Sequence, residues 1–348
     1  MRNENSDNLI DLTEAVLVLP EGLCGPEEKA VVMLLDEVQK RTRIRWEHTT
    51  TWPAAERPVV GVGPASALDG FAGKYAGELA AESSASAPEG YRIRVEGDTG
   101  TPAVLVVGND ARGVLFGVGH LLRGLRMRQG GIALPADFNI TAARHYSLRG
   151  HQLSYRDKTN SYCGWDVPQW EQYIRDLAVF GANAIELIPP RSDDKSTSVH
   201  FPRPPLEMMA EVSRIADEYG LDLWIWYPAM DEDYSDPETV AFALEEWGEV
   251  FEALPRIDAV FVPGGDPGRT QPKYLMAMLE KQTEQLQRVQ PGAQMWISPQ
   301  GFSRDWMAEF IGILKQESPD WLTGVVFGPW IHMTTVEFRE LVPDKYPI

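Results

Sequence analysis

The residues of this chain best placed to do chemistry are carboxylates that follow short apolar runs. Val262-Pro263-Gly264-Gly265-Asp266-Pro267-Gly268 is the sharpest stretch. Two glycines let the backbone leave a strand at an unusual angle, which would project Asp266 beyond the strand end. The same DPG sequence also suits a tight turn whose Asp caps the next helix. Asp231 and Asp233 follow the run LDLWIWYPA, and Glu186 lies inside NAIELIPP. Cleavage of a glycosidic bond asks for one carboxylic acid to protonate the leaving oxygen and a carboxylate or substrate group opposite. Asp266 is the candidate acid, with Asp231, Asp233 or Glu186 as the second group. The competing readings are a solvated acidic loop for 231–233 and, for Glu186, a buried pair with an arginine of a neighbouring strand. Asp193 and Asp194 read as loop surface.

Around these carboxylates stand groups that could hold a sugar. Arg149 offers a fork of fixed donors to hydroxyls, or else a structural ion pair. Trp226, Trp296 and Trp330 fall on or at the ends of apolar runs, and a sugar's C–H face packs well on an indole. A buried tryptophan can equally be core. His151 is either in the same mouth or a satisfied core histidine. The histidines show no metal-ligand spacing, there is no GxSxG elbow and there is no P-loop. Neither a metal nor a cofactor is expected.

These residues need elements to position them, and the chain supplies two grammars. Residues 1–12 read as a loose polar tail. Over 13–140, strands at 15–20, 57–63, 89–97 and 102–109 mix with helices at 26–44 and 111–127, and 65–88 reads as loop. The alternating EGYRIRVEG and the run PAVLVVGN, joined by a DTGT turn, predict a hairpin. This is a small α+β domain. From 146 to 348 strand and helix alternate strictly, with strand starts near 147, 183, 221, 258, 293 and 323. That spacing of ~30–38 residues is one βα unit. Polar and aromatic residues at the strand ends, and the lack of a Gly-rich fingerprint after the first strand, favour a (β/α)8-type TIM barrel over a doubly wound sheet. The expected fold is therefore α/β: a barrel truncated after six βα units, preceded by the α+β domain.

Composition narrows the partners. The 348 residues carry 51 Asp+Glu against 32 Lys+Arg, a formal net charge of −19 that would repel a phosphate backbone. Nucleic acid is not an expected partner. A hydrophobic content of 43% supports a real core and excludes general disorder. No apolar run approaches the ~18–20 residues of a membrane span. The two cysteines, Cys24 and Cys163, are too far apart in sequence for a disulfide framework or a CxxC site. The polar, acidic start lacks the features of a signal peptide, so the chain as written reads as cytoplasmic, or secreted or periplasmic if its N-terminus is incomplete.

VFVPGGDPG resembles the fourth-strand GGDE motif of family 20 glycoside hydrolases, the β-N-acetylhexosaminidases. Leu148-Arg149-Gly150-His151-Gln152-Leu153 is similar to their first-strand Arg-Gly motif, and GANAIEL (181–187) to their second-strand segment. EGYRIRV, LVVGND and ARGVLFG resemble the α+β domain before those barrels, which also precedes the barrel of family 67 α-glucuronidases. The resemblance implies a carbohydrate substrate, a sugar-binding role for Arg149, and an Asp266 that orients a 2-acetamido group. It also implies a general acid at the next position, where this chain has Pro267, and a third-strand His motif, where it has WYPAMDED (226–233). The leading expectation is a glycosidase acting on a terminal N-acetylhexosamine or related sugar. An α-glucuronidase-like hydrolase, with Arg149 and Arg191 pairing a uronate, is one alternative. A non-catalytic carbohydrate-binding or scaffold module is the other.

Overall fold

The computed structural model describes residues 8–81, 87–97, 101–157, 161–266 and 270–348. Pro267, the residue at the position of the resembled acid, lies outside the described residues. The chain divides into two compact units, one bounded by Met1–Arg149, Gln172–Asn183 and Glu218–Gly220, the other by Gly150–Glu171, Ala184–Asp217 and Leu221–Ile348.

The first unit runs β1 (Leu9–Asp11), β2 (Val16–Val18), α1 (Pro26–Thr42), β3 (Glu47–Thr49), β4 (Val59–Pro64), α2 (Ala76–Ala81), β5 (Tyr91–Glu96), β6 (Ala103–Gly108), α3 (Ala111–Gly124), β7 (Arg126–Arg128), β8 (Gly131–Pro135) and β9 (Ile140–Ala142). A six-stranded sheet has the order β3-β2-β4-β6-β5-β9, and β1-β8-β7 form a second. The hairpin is present, with β5 antiparallel to β6 from Tyr91↔Gly108 to Glu96↔Ala103. Its inner strand β6 is buried at every position, as a central strand should be. α3 starts where Asp110 accepts from the Gly113 N–H, and Gly113 and Gly117 let its backbone lie against Gly90 and β6. Two expectations fail locally. Leu9–Asp11 is a strand paired with β8, not a tail, because Ile10 and Leu12 bury their side chains. Part of 65–88 is the helix α2, whose Ala76 and Leu79 fill the core under β4 and β6.

Glu89 organises this unit. It is 4% exposed and has φ +62. Its carboxylate accepts from Arg149 at 2.8 Å, Asn183 at 3.0 Å and Arg112 at 3.2 Å, while its backbone N–H donates to Asp110 at 2.7 Å. Burial alone would raise this carboxyl, but the hydrogen bonds from Asn183 and Arg149 and the Arg149 charge outweigh it and hold it below the usual range. Arg149 is fully committed here. It also donates to the carbonyls of Gly181 and Tyr146 and stacks over Phe116 at 5.3 Å.

The second unit runs β10 (Gly150–Gln152), α4 (Val167–Val179), β11 (Ala184–Leu187), α5 (Pro205–Glu218), β12 (Asp222–Trp226), α6 (Pro237–Ala253), β13 (Ala259–Pro263), α7 (Pro272–Val289), β14 (Gln294–Ser298), α8 (Arg304–Gln316), β15 (Leu322–Val325) and α9 (Thr335–Leu341). Asp236 and Ser303 cap α6 and α8 by accepting first-turn N–H groups, and Pro opens α6 and α7. All six strands are parallel and ordered β10-β11-β12-β13-β14-β15. The order never reverses, so this is not a doubly wound sheet. Among the described residues β10 and β15 do not pair, so no closed barrel is seen and the truncated-barrel expectation is met only as far as a parallel six-stranded α/β sheet.

Because right-handed crossovers put consecutive helices on one side, the two faces differ. Ile185, Leu223, Ile225, Val260, Met295 and Ile297 are buried on one. Glu186, Trp224, Trp226, Phe261 and Trp296 alternate with them and are half-buried on the other.

Replacing Glu89 by Ala would remove the one buried anion that two guanidinium groups and an amide share. A destabilisation of about 3 kcal/mol, the lower end for breaking a buried pair because both arginines keep some solvent, is expected. Urea denaturation followed by circular dichroism measures it. A loss below about 1 kcal/mol would show that the cluster holds nothing together.

Candidate functional site at the strand ends

Three loops meet after β13, β14 and β15. The Gly264 N–H donates to the Ser298 carbonyl at 2.7 Å, and the Gly265 N–H to the Gln300 carbonyl at 2.9 Å. These contacts explain the two glycines. A Cβ on Gly264 would stand 2.7 Å from the Ser298 carbonyl oxygen, and one on Gly265 2.6 Å from that of Gln300. Gly301, at φ +73, meets Gly265 from the other side. The clasp presents Asp266, half-buried, to the Gln300 side chain, whose Nε2 donates to Asp266 Oδ2 at 2.9 Å. Burial raises the Asp266 carboxyl, the charge of Asp193 raises it further, and the Gln300 hydrogen bond pulls it back.

Trp330 joins this group through its backbone. Its carbonyl accepts from the Gly301 N–H at 3.4 Å, and its side chain is 60% exposed. It is not the last residue of a strand, as its sequence position suggests, because β15 ends at Val325. Its φ of +58 is an uncommon conformation for a bulky residue.

The other carboxylates are placed differently. Asp231 is held by Arg191 through contacts of 2.6 and 3.3 Å, with Tyr234 hydroxyl at 3.3 Å, and Glu246 takes the same guanidinium at 3.0 Å. Asp233 caps its own turn by accepting from Ser235. Asp193 and Asp194 share Arg156, at 2.8 and 3.3 Å.

Glu186 lies on the half-buried face, beside Gln152, which donates to it at 3.0 Å. The two are register partners on β10 and β11, and Trp224 partners Glu186 on β12. Burial on this indole-rich face pushes the Glu186 carboxyl up to about 7, with Gln152 opposing. The arginine expected beside it is replaced by a neutral amide, which explains why the carboxyl stays high.

The indoles separate. Trp226 ends β12 on the same face as Glu186. Trp296 lies mid-strand, its Nε1 donating back to Gln294 and its ring 5.4 Å from that of Trp224. It is seated over Gly324, where a Cβ would collide with the indole. His151 is exposed in the middle of β10.

Arg149 precedes β10 and belongs to the first unit, bound to Glu89, whereas Asp266 follows the C-terminal end of β13. Gln300, Gln152 and Arg156 were not singled out from sequence. The available signal was position alone: each lies at or just past a strand end. Among the described residues no group of three or more His, Cys, Asp or Glu side chains is arranged to hold a metal, and no helix is long and apolar enough to cross a membrane.

No family model matches the chain, and no curated protein matches it at a significant level. Solved structures do share its fold. CpGH84B is 14% identical, with a TM-score of 0.60, over 87% of this chain and 52% of that chain. A family GH20 exo-β-N-acetylglucosaminidase from Vibrio harveyi, an inactive mutant, is 11% identical, with a TM-score of 0.55, over 88% and 57%. BtGH115A, a family GH115 4-O-methyl-α-glucuronidase with specificity for decorated arabinogalactans, is 14% identical, with a TM-score of 0.61, over 87% and 44%. The chain thus spans about half the length of these proteins and has a glycoside hydrolase-like fold.

The raised Glu186 carboxyl carries a stability signature. Its folded pKa, about 7, lies above the unfolded value, so protonation favours the fold. Stability from this group is fully present below about pH 4.3 and is lost as pH rises through about 7. Glu186→Gln should remove that decline, matching the parent near pH 4 and exceeding it by up to roughly 3.5 kcal/mol at pH 8. Denaturant midpoints at the two pH values test this. An equal gap between the proteins at both would contradict it.

Proposed function

We propose that this chain is the core of a glycoside hydrolase that cleaves a terminal neutral sugar, N-acetylhexosamine or a close relative, with Asp266 as the proton-handling carboxyl. The observation that carries the reading is the placement of Asp266: a half-buried carboxyl raised above its ordinary value, on a rigid turn at the C-terminal edge of a parallel sheet. The neighbours' printed activities, β-N-acetylglucosaminidase and 4-O-methyl-α-glucuronidase, agree in bond type and differ in sugar. The completed barrel of the family 20 type is part of the same proposal, with the six strands here as its first six.

In this reading Asp266 donates its proton to the glycosidic oxygen while the C–O bond electrons pass to that oxygen. The opposing group is the substrate's own acetamido oxygen or a strand-end carboxylate. Asp193 is the candidate whose charge reaches Asp266, although Arg156 pairs with it as Arg191 pairs with Asp231. Trp330 supplies the exposed ring for a sugar face, and Trp226 and Glu186 share the half-buried face of the sheet.

The chemistry of the arginines argues against a uronate. Arg149 is spent on Glu89, and Arg191 on Asp231 and Glu246. A substrate carboxylate would have to break those pairs and enter among acidic side chains.

A panel of fluorogenic N-acetylhexosaminides, hexosides and glucuronides tests the reading. Turnover of N-acetylhexosaminides above hexosides, with glucuronides untouched, is expected. Asp266→Asn should then lower kcat by about 10²–10⁴-fold, least for leaving groups that need no protonation. A loss confined to 2-acetamido substrates whatever the leaving group would instead make Asp266 the residue that orients the acetamido group. Sugar binding by calorimetry with no cleavage of any substrate would leave the chain a carbohydrate-binding module.

A further inference from the structure

We infer that Gln300 is the positioning residue for Asp266, a neutral clamp that fixes which carboxyl oxygen carries the transferable proton. The inference rests on the proposed role of Asp266 for its catalytic consequence, but not for the contact itself.

Gln300 is 3% exposed, and its two ends are both fixed. Its backbone carbonyl accepts from the Gly265 N–H, one residue before Asp266, and its Nε2 donates to Asp266 Oδ2 at 2.9 Å. One residue therefore holds both the turn and the carboxyl that the turn presents. A third constraint comes from the loop after β15. A Cβ on Gly328 would stand 2.7 Å from Gln300 Oε1 and 2.6 Å from Ser298 Oγ, so the amide has its seat only because position 328 is glycine.

With Nε2 on Oδ2, the proton belongs on Oδ1. The clamp works in both protonation states. An ionised Asp266 accepts at Oδ2, and an Asp266 protonated on Oδ1 still accepts there through its carbonyl oxygen. An arginine or lysine in the same place would add a charge and favour the ionised form strongly. The amide favours it only modestly, leaving the carboxyl able to donate. Among the described residues, the charged group felt by Asp266 is Asp193, from the loop after β11, itself paired with Arg156 from the segment after β10.

The decisive measurement needs no turnover. In protein labelled with carbon-13 at aspartate carboxyls, Asp266 is followed by NMR through its titration in the parent and in Gln300→Leu. Loss of the donor removes a stabiliser of the charged form, so the Asp266 midpoint should rise by about 0.5–1 pH unit. Gly328→Ala, which crowds the same amide from the other side, should move it in the same direction. In the parent the Gln300 side-chain N–H resonances should shift with the Asp266 midpoint and lose that inflection in Asp266→Asn. This holds even if Gln300→Leu does not fold. An unmoved midpoint in a folded Gln300→Leu, or no inflection at Gln300 in the parent, overturns the inference. If the enzyme turns over a glycoside, Gln300→Leu should lower kcat about 10–100-fold with KM within about twofold, and shift the alkaline limb of the pH profile upward. Absence of turnover by the parent would defeat the proposed activity while leaving the titration result to stand or fall alone.

Discussion

Two backbone segments approach at Gly265 and Gly301 more closely than any side chain permits, and the candidate site depends on that approach. A β-carbon on Gly265 would lie 2.6 Å from the Gln300 carbonyl oxygen, and one on Gly301 2.9 Å from that of Gly265. The loops after β13 and β14 are therefore locked by backbone hydrogen bonds rather than by side-chain packing. Such a lock has few soft degrees of freedom, which is what a group that must hold an angle to a substrate requires. Asp266 inherits its position from the lock, and Trp330 is joined to it through the Gly301 N–H.

Charge is managed differently in the two units. In the first, one buried carboxylate, Glu89, gathers arginines and an amide and stays ionised despite its burial. At the strand ends of the second, each arginine is outnumbered: Arg191 faces Asp231 and Glu246, and Arg156 faces Asp193 and Asp194. Among the described residues, Asp266 and Glu186 have no guanidinium at hydrogen-bond distance, only glutamines. An amide satisfies the hydrogen-bonding need of a carboxyl without cancelling the cost of its charge, so burial raises both. Burial raises Glu246 as well, against the opposing hydrogen bond from Arg191.

Much of this was legible in the sequence, and the gaps have physical causes. The six βα units could be read because buried parallel strands leave continuous apolar runs at a fixed spacing, such as AVFVP and QMWIS. The GGD turn could be read because only glycine tolerates so close an approach. Leu9–Asp11 was hidden because a three-residue strand, with one inward side chain, has too short a pattern to distinguish from a tail. The partners of Arg149 were hidden for a different reason: proximity to a strand does not say which end the residue occupies, and Arg149 precedes β10 rather than following it. Trp296 followed the same logic, since an indole within a strand can point back along it, as the bond to Gln294 does. Closure of the sheet could not be read at all, because strand count and order are the same along an open arc and a ring.

Pro267 gives the last constraint. A proline has neither a side-chain donor nor a backbone N–H, so position 267 can neither protonate a leaving group nor hydrogen-bond the carboxyl before it. The chemistry that a Glu would perform there must come from another side chain or not occur. Asp266 is the neighbour whose carboxyl is raised, whose turn is rigid and whose second oxygen is already held by a neutral donor. Those are the properties of an acid, not only of an orienting anion, which gains from a cationic partner that keeps it ionised. In the proposed reading an Asp–Pro pair can stand where Asp–Glu is usual because the Asp is held by a neutral donor, and the glutamine at position 300 is the residue that supplies it.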